Sequence, residues 1–439
     1  MSENKQPLGE MLVEAGVITS QDLKVALESQ RHVPAPLGVT LVELGIAREE
    51  DILPILAQQL NRVDVSLAVR ERDPDQLNVT DALQQVLSDA VEAGATDIHL
   101  EPVQADVKIR VRIDGLLREM AVPRIIKNQY QAAVSSVKVM CNLDIAEKRM
   151  PQEGRTTITA GDQTFDLRVS ILPSHNGESV VARVIQSENP RKLSVLGMDQ
   201  KTLDVIEKVL LRRSGLFLVT GPTGSGKTST LYGCLQRLNE ATRKIVTIED
   251  PIEYTLPEAI QIQVQPQIDL TFGRLLRTVL RHDPNVVMVG EIRDLETAEI
   301  AIRTALTGHM VLSTLHTNDA ASSITRLLEM GIEPYLVASS LICCLAQRLV
   351  RTICKRCQGK RCMACLGVGL KGRTGIFECL VADEEIRSMT LKRASVEEIR
   401  QYARSRGMTT LYEDGMKKVQ AGSTTQDEVE RVIHSDELL

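Results

Sequence analysis

The chain of 439 residues has no tryptophan, six tyrosines and four phenylalanines. Its cores must therefore be aliphatic, and it is short of the aromatic platforms on which single-stranded nucleic acid stacks. No apolar run approaches the roughly 20 residues that cross a bilayer. The opening MSENKQPLGEML has no apolar signal segment. We expect a cytoplasmic protein that associates peripherally with a membrane through partners and does not insert. Positive charge is not in excess either: the formal net charge is −6, which argues against sequence-independent nucleic-acid binding. The length allows two to four domains.

Cysteine is unevenly placed. Of nine, Cys354, Cys357, Cys362 and Cys365 form two C-x2-C pairs, and the others are scattered. In a reducing compartment such a cluster reads as a metal site, and four thiolates suit tetrahedral Zn²⁺. The gap between the pairs is four residues. Extended, it reaches about 14 Å, enough to put both pairs on one ion.

Residues 7–30, PLGEMLVEAGVITSQDLKVALESQ, align with residues 36–59, PLGVTLVELGIAREEDILPILAQQ, at an offset of 29. Each copy reads as a short helix, a glycine stop and a second helix, with Thr19 as the cap in the first. The charged stretch around Pro74 reads as a linker. A helix then precedes alternating strands, of which Val107–Ile113 has strict period two and ends at the turn pair Asp114-Gly115. From residue 200, apolar strands at 216–220, 245–248, 286–289 and 310–313 alternate with helical stretches, the pattern of a parallel sheet covered on both faces. The expected division is a helical module over 1–62, a linker over 63–78, an α+β domain over 79–190, an α/β core over 191–345, a cysteine subdomain over 346–380 and a helical region over 381–439.

The most specific stretch is Gly221-Pro222-Thr223-Gly224-Ser225-Gly226-Lys227-Thr228-Ser229, which follows a strand and opens a helix. Glycines let backbone amides close on a phosphate chain, Lys227 meets the β- and γ-phosphates, and Thr228 binds Mg²⁺. By accident the pattern arises in roughly 1–2% of chains this long. Two further apolar strands end in carboxylates, Glu249 and Glu291. Strand ends are where open α/β sheets bind ligands, so Glu249 is a candidate to polarise water and Glu291 to help hold Mg²⁺. Asp250 and Glu253 lie just beyond Glu249, and His309 and His316 flank the next strand.

Together GPTGSGKTSTLY (221–232), TIEDPIEY (247–254), RTVLRHDPNVVMVGEIRD (277–294), TGHMVLSTLHTNDA (307–320) and QRLVRTIC (347–354) resemble the secretion-superfamily ATPases of type II secretion and type IV pilus assembly. ATDIHLEP (95–102) and FDLRVSILPSHNGESVVARV (165–184) are similar to that family's middle domain. The resemblance implies a multidomain α/β fold: a RecA-like P-loop ATPase core with a parallel sheet, a small α+β, PAS-like middle domain and an α-helical N-terminal module. It implies a homo-hexamer using ATP and Mg²⁺ to drive pilus or pseudopilus assembly. Partners would be an inner-membrane platform protein and the cytoplasmic domain of a membrane-anchored adaptor, with no direct nucleic acid. In this family Glu249 would activate water, Glu291 would stand at the Mg²⁺ shell and His316 near the γ-phosphate. Arg168 and Arg183 would close on the nucleotide, and Arg373, in GRTGI, would reach a neighbour's nucleotide.

Two features depart from the family. The N-terminal repeat resembles its cyclic di-GMP-binding module, but Pro7 and Pro36 stand where a polar or basic residue usually precedes Leu-Gly. Dinucleotide binding and docking on the platform therefore both stand as readings. The cysteine pairs are also closer together than is usual there. The rival function is a cyclic di-GMP-responsive nucleotide-binding regulator with little hydrolysis, against which Lys227 and both carboxylates argue. A conjugation or DNA-uptake motor fits the acidic charge poorly.

Overall fold

The computed structural model describes residues 8–32, 37–48, 51–52, 78–104, 106–185 and 192–434. The chain divides into two units, Met1–Gln186 with Cys354–Lys371, and Ser187–Ile353 with Gly372–Leu439. The predicted linker, up to residue 77, and most of the second repeat copy's second helix lie outside the described residues. No helix among the described residues is long and apolar enough to cross a membrane.

In the first unit the repeat begins with helices Leu8–Glu14, Ser20–His32 and Leu37–Glu43. Leu12 and Leu41, equivalent by the 29-residue offset, are both fully buried in one small cluster with Ile18, Ala26 and Ile52. The two stops are equivalent as well. Gly16 and Gly45 have φ of 70° and 67°, and the next residue's amide reaches back to Leu12 and Leu41 respectively, a left-handed helix ending that glycine adopts at little cost. Thr19 and Asp22 exchange hydrogen bonds of 2.8 and 3.2 Å at the start of the second helix, the predicted cap.

The rest of this unit is a sheet of β1 (Ala95–Val103), β2 (Asp106–Ile113), β3 (Leu116–Met120), β4 (Gln152–Ala160), β5 (Gln163–Ser174) and β6 (Gly177–Ile185). Its order is β3-β2-β1-β6-β5-β4, with antiparallel pairing throughout. Alternation decides its two faces. Val107, Ile109, Val111 and Ile113 turn inward against helices Val79–Glu92 and Tyr130–Met140, and Lys108, Arg110 and Arg112 turn outward. Asp114 and Gly115 both take positive φ, 49° and 86°, which matches the twist of the strands they join.

The second unit holds β7 (Gly215–Thr220), β8 (Ile245–Glu249), β9 (Ile260–Gln263), β10 (Val286–Val289), β11 (Met310–Leu315), β12 (Leu341–Ile353) and β13 (Leu370–Val381). The order is β13-β12-β7-β11-β10-β8-β9. Every pairing from β12 to β9 is parallel, and β13, which follows β12 in the chain, adds the edge strand that makes the sheet mixed. The sequence pattern led us to expect a parallel sheet. The β12–β13 pair departs from that expectation because its connection, the cysteine loop, holds no α-helix to cover a sheet face as a parallel crossover does. Leu216, Leu218, Val287 and Val289 pack into one core with helices Phe272–Val279, Leu295–Leu306 and Ala320–Glu329. Phe217, Val219, Val286 and Met288 pack into the other with Gln200–Leu210 and Lys227–Leu238. This is a parallel sheet buried on both faces.

Four polar-faced helices close the chain, starting at Glu384, Val396, Leu411 and Gln426. The last is pinned to β12 by a buried ion pair. Glu428 accepts from the Arg351 amide and Nε at 3.0 Å each and from Nη2 at 2.7 Å, and from Arg431 at 2.7 and 2.9 Å. Burial acts to raise the Glu428 carboxyl, but the Arg431 and Arg351 hydrogen bonds outweigh it and hold it down at about 2.

A carboxylate held below its unfolded value stabilises the fold above that value and loses its contribution as pH falls through the folded one. This anchor should therefore fade between about pH 4.3, the unfolded value, and pH 2. Glu428→Gln should destabilise the second unit by about 3 kcal/mol at pH 7, because it strands a buried guanidinium, and should lose that deficit in acid. Denaturant unfolding of the two proteins at pH 7 and pH 3 checks both.

Candidate functional site

Parallel pairing brings the C-terminal ends of four strands to one edge. In register, Thr220 lies beside Leu315 and Ala346, and Val289 lies beside Ser313 and Ile248. The segments leaving this edge are the glycine-rich loop after β7, Glu249 at the end of β8, Gly290-Glu291 after β10 and His316 after β11. Side chains tie these exits together. Thr220 Oγ1 lies 2.6 Å from Thr317 Oγ1 and accepts from the Thr317 amide at 2.9 Å. Thr314 Oγ1 donates to Gly290 O at 2.8 Å, and the Ile292 amide donates to Thr314 O at 3.0 Å.

The loop's backbone requires glycine. Gly221, Gly224 and Gly226 take φ of 148°, 80° and 89°. A Cβ on Gly221 would stand 2.5 Å from the Gln347 carbonyl oxygen, and one on Gly226 would stand 2.8 Å from Gln347 Nε2. The left-handed Gly226 precedes helix Lys227–Leu238 and supplies no side-chain cap, so the first amides of that helix remain for an anion. Ser225 Oγ is buried with no hydrogen-bond partner. Thr223 and Thr228 are exposed, and Pro222 and Ser229 are half-buried. A buried orphan hydroxyl, open amides and a cradle with no room for Cβ atoms fit a bound phosphate chain.

Lys227 Nζ folds back onto the loop, donating to Gly221 O at 2.7 Å and Pro222 O at 3.0 Å. Burial, and then the Arg348 guanidinium, hold its ammonium down at about 8 against the pull of Glu291. Glu291 pairs with Arg293 at 2.6 Å and stands 3.6 Å from His316 Nε2. Burial and the Lys227 charge push His316 below its ordinary value although Glu291 favours its charged form. Lys227, Glu291 and His316 thus form one electrostatic group. Glu249 is 3% exposed and accepts from Tyr232 OH, from Thr247 Oγ1 at 2.6 Å and from Gln261 Nε2 at 3.1 Å. Burial, with the carboxylate beside it, pushes the Tyr232 phenol up.

Other sequence candidates lie elsewhere. His309 precedes β11, at the opposite edge from His316, and its Nδ1 lies 3.1 Å from Thr304 O. Asp250 and Glu253 are exposed. Arg168 and Arg183 face each other across β5 and β6. Arg168 pairs with Glu153 and Arg183 with Asp97, at 2.8 Å each. Arg373 is exposed on β13. Sequence reasoning missed Gln347, Arg348 and Tyr232. Gln347 Oε1 accepts from Thr230 Oγ1 at 2.6 Å, and Arg348 donates to Gln347 O and Asn318 O at 3.0 and 2.8 Å. The only signal for Gln347 and Arg348 was the motif QRLVRTIC, which had no role attached to its first two residues, and Tyr232 closed the motif GPTGSGKTSTLY without one.

The four clustered cysteines place their sulfurs within 4.8 Å of one another. Cys354–Cys362, Cys357–Cys365 and Cys362–Cys365 separations are 3.9, 3.7 and 3.8 Å. Four thiolates about 2.3 Å from one tetrahedral Zn²⁺ stand about 3.8 Å apart, so the donor set fits that ion. Burial opposes ionisation of Cys365, but amides of Cys362 and Gly369 donating to its sulfur hold it at about 7. The short gap succeeds by turning tightly, not by extending: Gln358, Gly359 and Arg361 all take positive φ.

The family model described as "Type II/IV secretion system protein" matches residues 72–431. The chain is 46% identical over 359 residues to the type II secretion system protein HxcR of Pseudomonas aeruginosa, covering 80% of this chain and 76% of that one. It is 43% identical over 384 residues to the type II secretion system ATPase E of Vibrio cholerae serotype O1, covering 82% and 76%. Among solved structures, the pilus retraction motor PilT with bound ADP superposes with a TM-score of 0.58 at 27% identity, over 79% of this chain and 95% of that one.

The loop geometry ranks its glycines. Gly224 has open space where a Cβ would go, whereas Gly221 has a backbone oxygen there. Gly224→Ala should carry only the positive-φ strain of about 1 kcal/mol. Gly221→Ala should weaken binding of an ATP analogue at least about tenfold more than Gly224→Ala, a further 1.4 kcal/mol. Calorimetric titration of both variants checks the order.

Proposed function

The chain belongs to the Type II/IV secretion system protein family and is a secretion ATPase, and we propose that it works as a homo-hexameric, Mg²⁺-dependent motor for assembly of a pseudopilus or pilus at an inner membrane. The supporting observation is the gathering of Lys227, Glu291 and His316 beside an uncapped helix terminus at one sheet edge. Backbone amides of the loop from Thr223 onward grip the triphosphate, and the Lys227 ammonium leaves the loop carbonyls for the β- and γ-phosphate oxygens. Thr228 and Glu291 are the residues to hold Mg²⁺, which when bound offsets charge on the transferring phosphoryl group. His316, next to Glu291, faces the γ-phosphate end. Glu249 takes a proton from the attacking water as the water oxygen bonds to the γ-phosphorus and the bond to the β–γ bridging oxygen breaks.

Arg168, Arg183 and Arg373 supply cations to the nucleotide in this reading. Charge that develops on phosphoryl oxygens is stabilised by such groups. Arg168 and Arg183 stand in one row across the sheet and are more than a third exposed, so their present carboxylate partners are weak competitors. The motor's force passes to an inner-membrane platform protein and to the cytoplasmic domain of a membrane-anchored adaptor. The N-terminal repeat serves as the docking module for that assembly. Cyclic di-GMP is the competing ligand for the repeat, and a titration with the labelled dinucleotide distinguishes them: saturable binding would replace docking by sensing.

Lys227→Ala and Glu291→Ala should each lower ATP hydrolysis at least about a hundredfold, close to 3 kcal/mol of transition-state stabilisation, as read by phosphate release. Turnover at the native rate in either variant removes the motor reading. Cys354, Cys357, Cys362 and Cys365 are the residues to hold Zn²⁺, whose role in such closed four-thiolate sites is structural. The reduced full chain, stripped by a chelator, should regain one Zn²⁺ per chain. Cys362→Ser should abolish the uptake, measured by atomic absorption.

A further inference from the structure

We propose that Tyr232 is a positioning residue for hydrolysis, presenting the Glu249 carboxylate to the attacking water and coupling its orientation to the helix that begins at the phosphate loop. The inference rests on the reading of Glu249 as the group that activates water.

Tyr232 is fully buried. An aliphatic core that needed only volume there would be satisfied by leucine or phenylalanine. Instead a phenol is buried beside a buried carboxylate, and its hydroxyl donates to Glu249 Oε2. Thr247 Oγ1 and Gln261 Nε2 donate to the other oxygen, Oε1, at 2.6 and 3.1 Å. An ionised carboxylate offers about four acceptor positions. Three are taken, two on Oε1 and one on Oε2, which leaves a single position on Oε2 for a water. Tyr232 therefore decides which way the working oxygen faces.

The phenol is itself held by Gln261 and Tyr254. Gln261 Nε2 stands 3.2 Å from its oxygen and also donates to Tyr254 O at 2.9 Å. Gln261 Oε1 accepts from the Leu256 amide at 2.7 Å, which fixes the amide's orientation. The Tyr232 and Tyr254 rings meet edge to face, with centroids 5.1 Å apart and planes at 72°. The network thus joins the strand that carries Glu249, the segment after it and the helix Lys227–Leu238. Tyr232 lies five residues after Lys227 on that helix. A shift of the helix as its N-terminus takes up phosphate moves the phenol, and with it the carboxylate.

The test uses the full-length protein, ATP turnover and the dissociation constant of a fluorescent ADP analogue, with Glu249→Gln as the reference. Tyr232→Phe keeps the ring and its contact with Tyr254 but removes the hydroxyl. A lost hydrogen bond to a charged group predicts a kcat lower by about tenfold or more, with KM and the analogue's dissociation constant within about twofold of native. Gln261→Ala, which releases the phenol and Oε1 together, should show the same split. Native kcat in Tyr232→Phe, with turnover lost in Glu249→Gln, overturns the positioning role and leaves the function standing. A rise in KM that matches a loss of thermal stability would make Tyr232 structural and also overturns it. Native turnover in Glu249→Gln overturns the role of Glu249 itself, and the inference falls with it.

Discussion

Backbone amides that must reach a phosphate cannot share their space with side chains, and the second unit is arranged around that demand. The loop after β7 runs so close to β12 that a single methyl on Gly221 would meet the Gln347 carbonyl. The closeness follows from strand order. β12 lies next to β7 in the sheet, with Ala346 in register with Thr220, so the residues that continue β12 pass alongside the loop. Gln347 and Arg348 therefore brace the loop from the side while the helix behind it keeps its terminal amides open. A glycine-rich turn elsewhere on the surface would have the same letters and none of this bracing.

The second constraint is charge. A site that receives a polyanion must hold cations without collapsing onto carboxylates. Lys227 donates to neutral carbonyls, and Arg348 is anchored on the carbonyls of Gln347 and Asn318. The pair repel, which is one reason the lysine's ammonium is held down at about 8. Phosphate oxygens would relieve burial and repulsion together, so the loop gains more from the ligand than a solvated lysine would. The carboxylates are treated differently according to their work. Glu291 keeps company with two cationic or ionisable groups, Arg293 and His316, while Glu249 is surrounded by neutral donors alone. A neutral shell orients a carboxylate without pairing its charge.

Much of this was legible from the chain, and the rest was not for identifiable reasons. The strand periods were readable because burial imposes them: Val107–Ile113 alternates since one face is covered, and Phe217 and Leu218 are both apolar since both faces are. The repeat announced equivalent glycine stops because only a left-handed ending lets each short helix turn back. The phosphate loop was singled out by its glycine and lysine spacing, Glu249 and Glu291 because strand ends are functional positions in parallel sheets, and the role expected of His316 by the family resemblance. Tyr232 lay inside the motif GPTGSGKTSTLY with no role of its own, since only its hydroxyl's destination reveals one. Arg348 sits within β12, and its neighbour is a loop more than 100 residues earlier. Sheet order, which local pattern does not encode, makes that contact. The edge strand β13 was missed for the same reason.

The cysteine loop shows how far spacing alone carries an argument. Four residues between pairs can span one ion when extended, and that calculation made a shared site feasible. The chain reaches the same end differently, by turning through Gln358, Gly359 and Arg361 at positive φ so that the pairs face each other at sulfur separations near 3.8 Å. Non-glycine residues adopt that backbone at an energetic penalty, and something must offset it. Two glycines absorb part: Gly369 packs where its Cβ would stand 2.6 Å from the Gly359 oxygen. The remainder is matched by four thiols converging with amides already aimed at Cys365. A turn kept at Gln358 and Arg361 without glycine is explained by what it gathers, since a loop free to relax would have no reason to hold it.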